Sequence, residues 1–155
     1  MVEFAMKISY SIEIDSKPEE VFRWIKDPER AMVWMSSVSK YEILHETPNM
    51  VGTTGREIVE ENGRCTELQV VVTAYKPNRL ISFHLSGEFN SVDVEYRLEE
   101  IEDRTRLTWN ADIRFKSFVR VLSLFMGATF KKKIMDQSKA EFTKLKELCE
   151  QGASG

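Results

Sequence analysis

The sequence predicts an α+β fold. A seven-stranded, strongly curved antiparallel sheet wraps one long C-terminal helix, and two short helices follow the first strand. Three observations predict it. Residues 8–14 alternate apolar and polar with a period of two, six further stretches of strand character lie between 38 and 115, and residues 117–150 switch to a helical pattern. A single helix laid across such a sheet covers it incompletely, and the gap is a ready-made pocket.

In the first strand Ile8, Tyr10, Ile12 and Ile14 alternate with Lys7, Ser9, Ser11 and Glu13. Asp15-Ser16-Lys17-Pro18-Glu19-Glu20 then reads as a helix start, with Ser16 as N-cap, Pro18 in the first turn and Glu19 three residues after the cap. Val21, Phe22, Trp24 and Ile25 follow at helical spacing, Asp27-Pro28 interrupts, and a second short helix covers Glu29 to Met35. The six later strands are Val38–Glu46, Thr53–Glu61, Arg64–Tyr75, Leu80–Ser86, Ser91–Ile101 and Arg104–Phe115. Their separators carry turn chemistry: Pro48-Asn49, Asn62-Gly63, Lys76-Pro77-Asn78, Gly87 and Glu102-Asp103. Val92, Val94, Tyr96 and Leu98 oppose Asp93, Glu95, Arg97 and Glu99, and Leu107, Trp109, Ala111, Ile113 and Phe115 oppose a polar set, so the sheet has one buried and one wet face. From Ser117 to Glu150 the chain reads as helix, with Val121, Leu124, Phe125, Ala128, Met135, Phe142, Leu145 and Cys149 near one stripe and Gly152 to Gly155 frayed.

The 155 residues fit one domain, 1–155, with an ordered core over about 6–150 and an ordinary globular balance of 42% hydrophobic and 30% charged residues. A net charge of −3 argues against a nucleic-acid partner held by phosphate contacts. Cys65 and Cys149 are too few for a disulfide framework and read as small buried hydrophobes in a reducing compartment. They share no ligand spacing with His45 or His84, so no metal and no cofactor is expected. The N-terminus lacks the signal-peptide pattern, and the greasy stretch from Ser117 to Phe130 is too short to span a bilayer and contains Arg120, so a cytoplasmic protein is expected.

The ordered set Ile14-Asp15-Ser16-Lys17-Pro18-Glu19-Glu20-Val21-Phe22, Asp27-Pro28-Glu29-Arg30 with Trp34, Val51-Gly52-Thr53, Tyr75-Lys76-Pro77-Asn78-Arg79-Leu80 and Thr105-Arg106-Leu107-Thr108 resembles the START and Bet v 1-like superfamily. Its polyketide cyclase/dehydrase and lipid-transport branch is the nearest in pattern, over about Ile8 to Leu148. The resemblance implies the helix-grip fold, with a hydrophobic cavity between sheet and long helix. It also implies functions among lipid, isoprenoid or polyketide binding, cyclase chemistry, and chaperone activation.

The candidate ligand-binding residues are Trp34, Met35, Arg56, Tyr96, Trp109, Phe115, Phe118, Leu122, Phe125 and Met126. Flexible Met and flat aromatic side chains suit an irregular apolar ligand, and the same residues at the same spacing also build ordinary core. Trp34 and Met35 end the second short helix, near where the resemblance implies the cavity mouth, as a gate or as a plug of the core. Tyr96 shares its phase with Val92, Val94 and Leu98, so it is the polar group expected to face inward. Arg56, with Glu57 or Glu67, forms either a polar cluster in the cavity or an outer-face pair. Gln69 and Ser82 are left open in the same way. His84 faces outward if Ile81, Phe83 and Leu85 face the helix, and would suit acid–base work if inward.

Val119, Leu122, Met126 and Phe130 make the first half of the long helix apolar nearly all round, which calls for a cavity, a partner or a membrane surface. Lys131-Lys132-Lys133 beside them reads as a solvated face or as a peripheral contact with an anionic membrane. No Ser/His/Asp arrangement, HExxH motif or phosphate-binding Gly-rich loop is present. The reading is a binder or carrier of a hydrophobic small molecule, with a cyclase/dehydrase-type enzyme and a protein-interaction module as alternatives.

Overall fold

The computed structural model describes residues 4–61 and 63–153, with side chains at 5–60, 63–116 and 129–152. Its elements run β1 (Phe4–Ile14), α1 (Pro18–Lys26), α2 (Pro28–Trp34), β2 (Val38–His45), β3 (Thr54–Glu61), β4 (Arg64–Lys76), β5 (Leu80–Ser86), β6 (Asn90–Ile101), β7 (Arg104–Phe115) and α3 (Ser117–Ala153). The strands form one antiparallel sheet in the order β1-β7-β6-β5-β4-β3-β2. All but one neighbouring pair is consecutive in the chain. The exception sets β1 against β7, with Ile14 opposite Thr105 and Phe4 opposite Phe115. The helical pair α1–α2 therefore carries the chain from one edge of the sheet to the other. Register shifts between Val38 and Lys40, Ile43 and His45, and Val72 and Ala74 mark irregularities that bend β2 and β4.

The alternation of the sequence becomes two faces. Ile14, Ile81, Leu107 and Leu145 are fully buried, and Phe142, Leu145 and Cys149 carry the second half of α3 onto the sheet. Two polar contacts, joined by an ion pair within the helix, pin that end of α3 to the β1–α1 junction. Lys146 Nζ donates to the Glu13 carbonyl at 2.9 Å and to Glu150 Oε2 at 2.7 Å, and the same Glu150 oxygen accepts from the Asp15 N–H at 2.8 Å. Between β6 and β7, Glu102 and Asp103 both take positive φ (48° and 66°), the combination a two-residue hairpin needs to match strand twist.

Several sequence expectations need correction. Ser16 does not cap α1: Lys17 holds that position with no side-chain bond, while Ser16 is buried and its carbonyl accepts from Thr105 Oγ1 at 2.7 Å. The residue that would cap the helix instead ties the β1–α1 corner to β7. Helix α2 starts at Pro28, not Glu29. Proline suits a first helical position, and Asp27 caps it by accepting from the Glu29 N–H at 3.1 Å. Cys65 is exposed and donates to Glu60 Oε1 at 3.5 Å, whereas Cys149 is buried. Helix α3 includes Gly152 and Ala153, expected to fray.

Candidate functional site

A cavity of about 220 Å³ lies between the inner face of the sheet and α3. Strand alternation supplies one wall through Val70, Phe83, Leu85, Val94, Tyr96 and Trp109. Ser138, Glu141 and Phe142 of α3 face them, and Ala31, Met32, Trp34 and Met35 close one end. Phe142 is the hub of the aromatic lining. Its ring centroid lies 5.5 Å from Trp109, 5.6 Å from Trp34 and 6.4 Å from Tyr96. Trp34 is held still by its indole N–H, which donates to the Trp24 carbonyl at 2.9 Å. That bond spends the indole donor on the protein, so Trp34 offers the cavity only its ring.

Apart from Ser37, Ser138 and an exposed Lys26, the polar groups that break this apolar lining are Tyr41 on β2, Glu57 on β3, Tyr96 on β6 and Glu141 on α3. Glu57 pairs in register with Tyr41 on one side and Leu68 on the other, which puts its carboxyl on the inner face. Burial and then the negative charge of Glu141 push its pKa up to about 7. Glu141 itself accepts from the Ser36 N–H at 3.1 Å and from Gln137 Nε2 at 3.3 Å. Burial first, then Glu57 and Glu141, raise the Tyr96 phenol well above its ordinary range, and burial and Glu57 raise Tyr41. The arrangement combines an apolar enclosure with a carboxyl that exchanges its proton near neutrality, flanked by two phenols that stay protonated.

Of the residues expected from the sequence, Trp34, Met35, Tyr96 and Trp109 stand on the cavity wall. Phe115 is buried against Phe130, with ring centroids 5.6 Å apart, away from the cavity lining. Arg56 lies on the opposite face of the sheet, against the expectation that it lines the cavity. Its Nη2 donates to Glu42 Oε2 at 2.8 Å and its Nε is 3.9 Å from Glu67, because β3 turns its neighbour Glu57 inward. Gln69 Nε2 donates to Glu67 on that outer face. His84 also points outward, its Nδ1 2.7 Å from Asp93 Oδ1. Phe118, Leu122, Phe125 and Met126 lie outside the described side chains, as does the greater part of the apolar half-helix; Lys131, Lys132 and Lys133 are exposed.

Sequence reasoning passed over Tyr41 and Glu141, placed Phe142 on the apolar stripe of the long helix without making it a ligand contact, and weighed Glu57 only as a partner of Arg56. The signal was weak for a physical reason: β3 carries polar or small residues in both phases. Among the described residues, no group of three or more His, Cys, Asp or Glu side chains is placed to hold a metal, and no helix is long and apolar enough to cross a membrane. A wider, open depression of about 650 Å³ on the outer face is walled by polar side chains such as Lys7, Ser9, Asp93, Glu95 and Asp112 and lacks the aromatic enclosure.

A family model described as polyketide cyclase / dehydrase and lipid transport matches residues 5–150. Among solved structures, the chain is similar to an aromatase/cyclase, Zhui, from a Streptomyces species, with a TM-score of 0.80, 14% identity, and coverage of 96% of this chain and 95% of that one. It is also similar to a START superfamily protein from Mycobacterium smegmatis, with a TM-score of 0.77, 20% identity, and coverage of 94% and 97%. At these identities the likeness shows the fold. No curated protein sequence matches the chain.

Proposed function

Because the chain belongs to the polyketide cyclase / dehydrase and lipid transport family, we propose that it binds a hydrophobic small molecule, of lipid, isoprenoid or polyketide type, in the cavity between sheet and α3. One observation carries this reading: the inner face of the sheet and the Phe142 region of α3 enclose about 220 Å³ with aromatic and aliphatic walls. That space is modest for a ligand pocket, since such pockets run from roughly 300 to 1,000 Å³. It suits a compact ring system or one end of a longer chain. The polar groups are few and sit together, so they orient a ligand while the aromatic walls supply the affinity. Native mass spectrometry of gently purified protein, followed by organic extraction, tests the reading. A stoichiometric apolar mass lost on unfolding supports it, and a protein that neither retains nor takes up any apolar compound contradicts it.

A second reading, a cyclase/dehydrase-type enzyme, is favoured by Glu57. A carboxyl with a pKa near 7 that lines a largely apolar cavity is suited to move a proton between carbon and oxygen of a carbonyl-bearing substrate. The cavity would contribute by holding the reacting atoms together. Under this reading Glu57→Gln abolishes turnover and keeps binding. Under the carrier reading no substrate turns over at all.

A further inference from the structure

We propose that the ligand of this cavity carries a cationic group, a protonated amine, seated between Glu57 and Glu141 with its apolar body along Trp34, Trp109 and Phe142. The inference rests on the small-molecule reading above and names the chemical class that reading leaves open.

Glu57 and Glu141 reach the same cavity from β3 and α3, close enough for the charge of one to act on the proton affinity of the other. Two carboxyls in a partly dry site repel each other, and the protein answers by keeping Glu57 protonated over part of the neutral range. Among the described lining residues the one basic group is Lys26 of α1. It is exposed, and its ammonium lies 5.6 Å from the centroid of the Tyr75 ring, which does not line the cavity. The groups facing Glu57 are thus Tyr41 from β2, Tyr96 from β6, Glu141 from α3 and Lys26 at the α1 rim, while β4 and α2 present no charged side chain there. The charge of Glu141 acts against ionisation of Glu57, and a ligand that brings a positive charge between them relieves that repulsion.

The surrounding chemistry agrees. Six aromatic residues, Trp34, Tyr41, Phe83, Tyr96, Trp109 and Phe142, line the same space, and ring faces attract cations. The Trp34 N–H is already spent on the Trp24 carbonyl, so an anionic head placed beside Glu57 would meet two carboxyls, with the Tyr41 and Tyr96 hydroxyls as the nearby side-chain donors and Lys26 out at the rim. Fatty-acid-like carboxylates are disfavoured by the same field.

Seating a cation lowers the proton affinity of Glu57, so binding releases a proton. With a free-protein pKa of about 7, the ionised fraction rises about tenfold between about pH 6 and about pH 8, and amine affinity rises by about the same factor.

The test is calorimetric titration with three probes sharing one apolar body: naphthylmethylamine, naphthylmethanol and naphthylacetate. The amine is expected to bind about tenfold or more tighter than the alcohol at about pH 8, to lose about tenfold by about pH 6, and to release a proton seen as a dependence on buffer ionisation heat. Glu57→Gln should remove the pH dependence, and Glu141→Gln, which leaves one carboxyl in place, should reduce the preference for amine. Equal affinity for amine and alcohol overturns the cationic assignment while the cavity reading stands. Tightest binding of naphthylacetate overturns it and moves the selectivity to Lys26. Failure of all three probes overturns the cavity reading and this inference with it.

Discussion

Tyr41 lies so close over Gly55 that a β-carbon at position 55 would stand 2.8 Å from its hydroxyl oxygen and 3.0 Å from the Glu42 carbonyl. The absence of a side chain on β3 is what lets a phenol from the edge strand β2 lie over the inner face and reach the cavity wall. Gly55→Ala is expected to push the Tyr41 ring away from this position, costing about 1–3 kcal/mol for the overpacking. Urea denaturation gives the cost, and probe titration should show weakened binding out of proportion to it.

Glu57 is expected to lower the stability of the protein that needs it. Its folded pKa is raised from 4.5 to about 7, so the folded chain keeps a proton that the unfolded chain releases. Stability from this group therefore falls as pH rises from the unfolded to the folded value, and the loss is complete above about 7. Glu57→Gln should stabilise the protein by about 1–3 kcal/mol at about pH 8, allowing for screening at a half-buried site, and by nothing near pH 4. Thermal unfolding at the two pH values checks the sign; a loss of stability at pH 8 would mean that Glu57 is held by a favourable partner.

Thr105→Val should leave the buried Ser16 carbonyl without the 2.7 Å bond that Thr105 provides. Thr105 is fully buried, so no water replaces it, and the expected cost is about 1–3 kcal/mol. Chemical denaturation measures it, with Thr105→Ser, which keeps the hydroxyl, recovering most of the loss.

His84→Ala should do almost nothing. The His84–Asp93 contact is on the outer face, with the two side chains 40% and 52% exposed. Such exposed pairs contribute about 0–1 kcal/mol, so stability should stay within that range and probe affinity should be unchanged. A large loss of binding on this substitution would place the ligand on the wrong side of the sheet for the present account.

How far the molecule was legible in its sequence depended on how cleanly each strand divides its residues. In β5 and β7 the two phases separate apolar from polar, and both strands have the bounds the alternation implies. The same rule put Tyr96 and Trp109 on the inner face. β3 offers no such division, since Gly55 and Glu57 face in while Arg56 and Ile58 face out. Its orientation is decided by the neighbouring strands, where Tyr41 and Val70 line the same cavity, and that information is not local. Glu141 escaped for another reason. It flanks Phe142 on the edge of an apolar stripe, where a carboxylate ordinarily reads as solvated. The hydrogen bonds from Ser36 and Gln137 that hold it toward the cavity join residues far apart or a turn away on the helix.

A ligand held between the sheet and α3 touches a different set of residues from one bound on a surface. Heteronuclear NMR of the protein titrated with naphthylmethylamine measures this most directly. Saturable changes and ligand-to-protein contacts are expected at Trp34, Tyr41, Tyr96, Trp109 and Phe142, with Arg56, His84 and Asp93 unmoved. Contacts confined to the exposed apolar side chains Ile43, Leu44, Val51 and Phe89, or to the outer face, would contradict it.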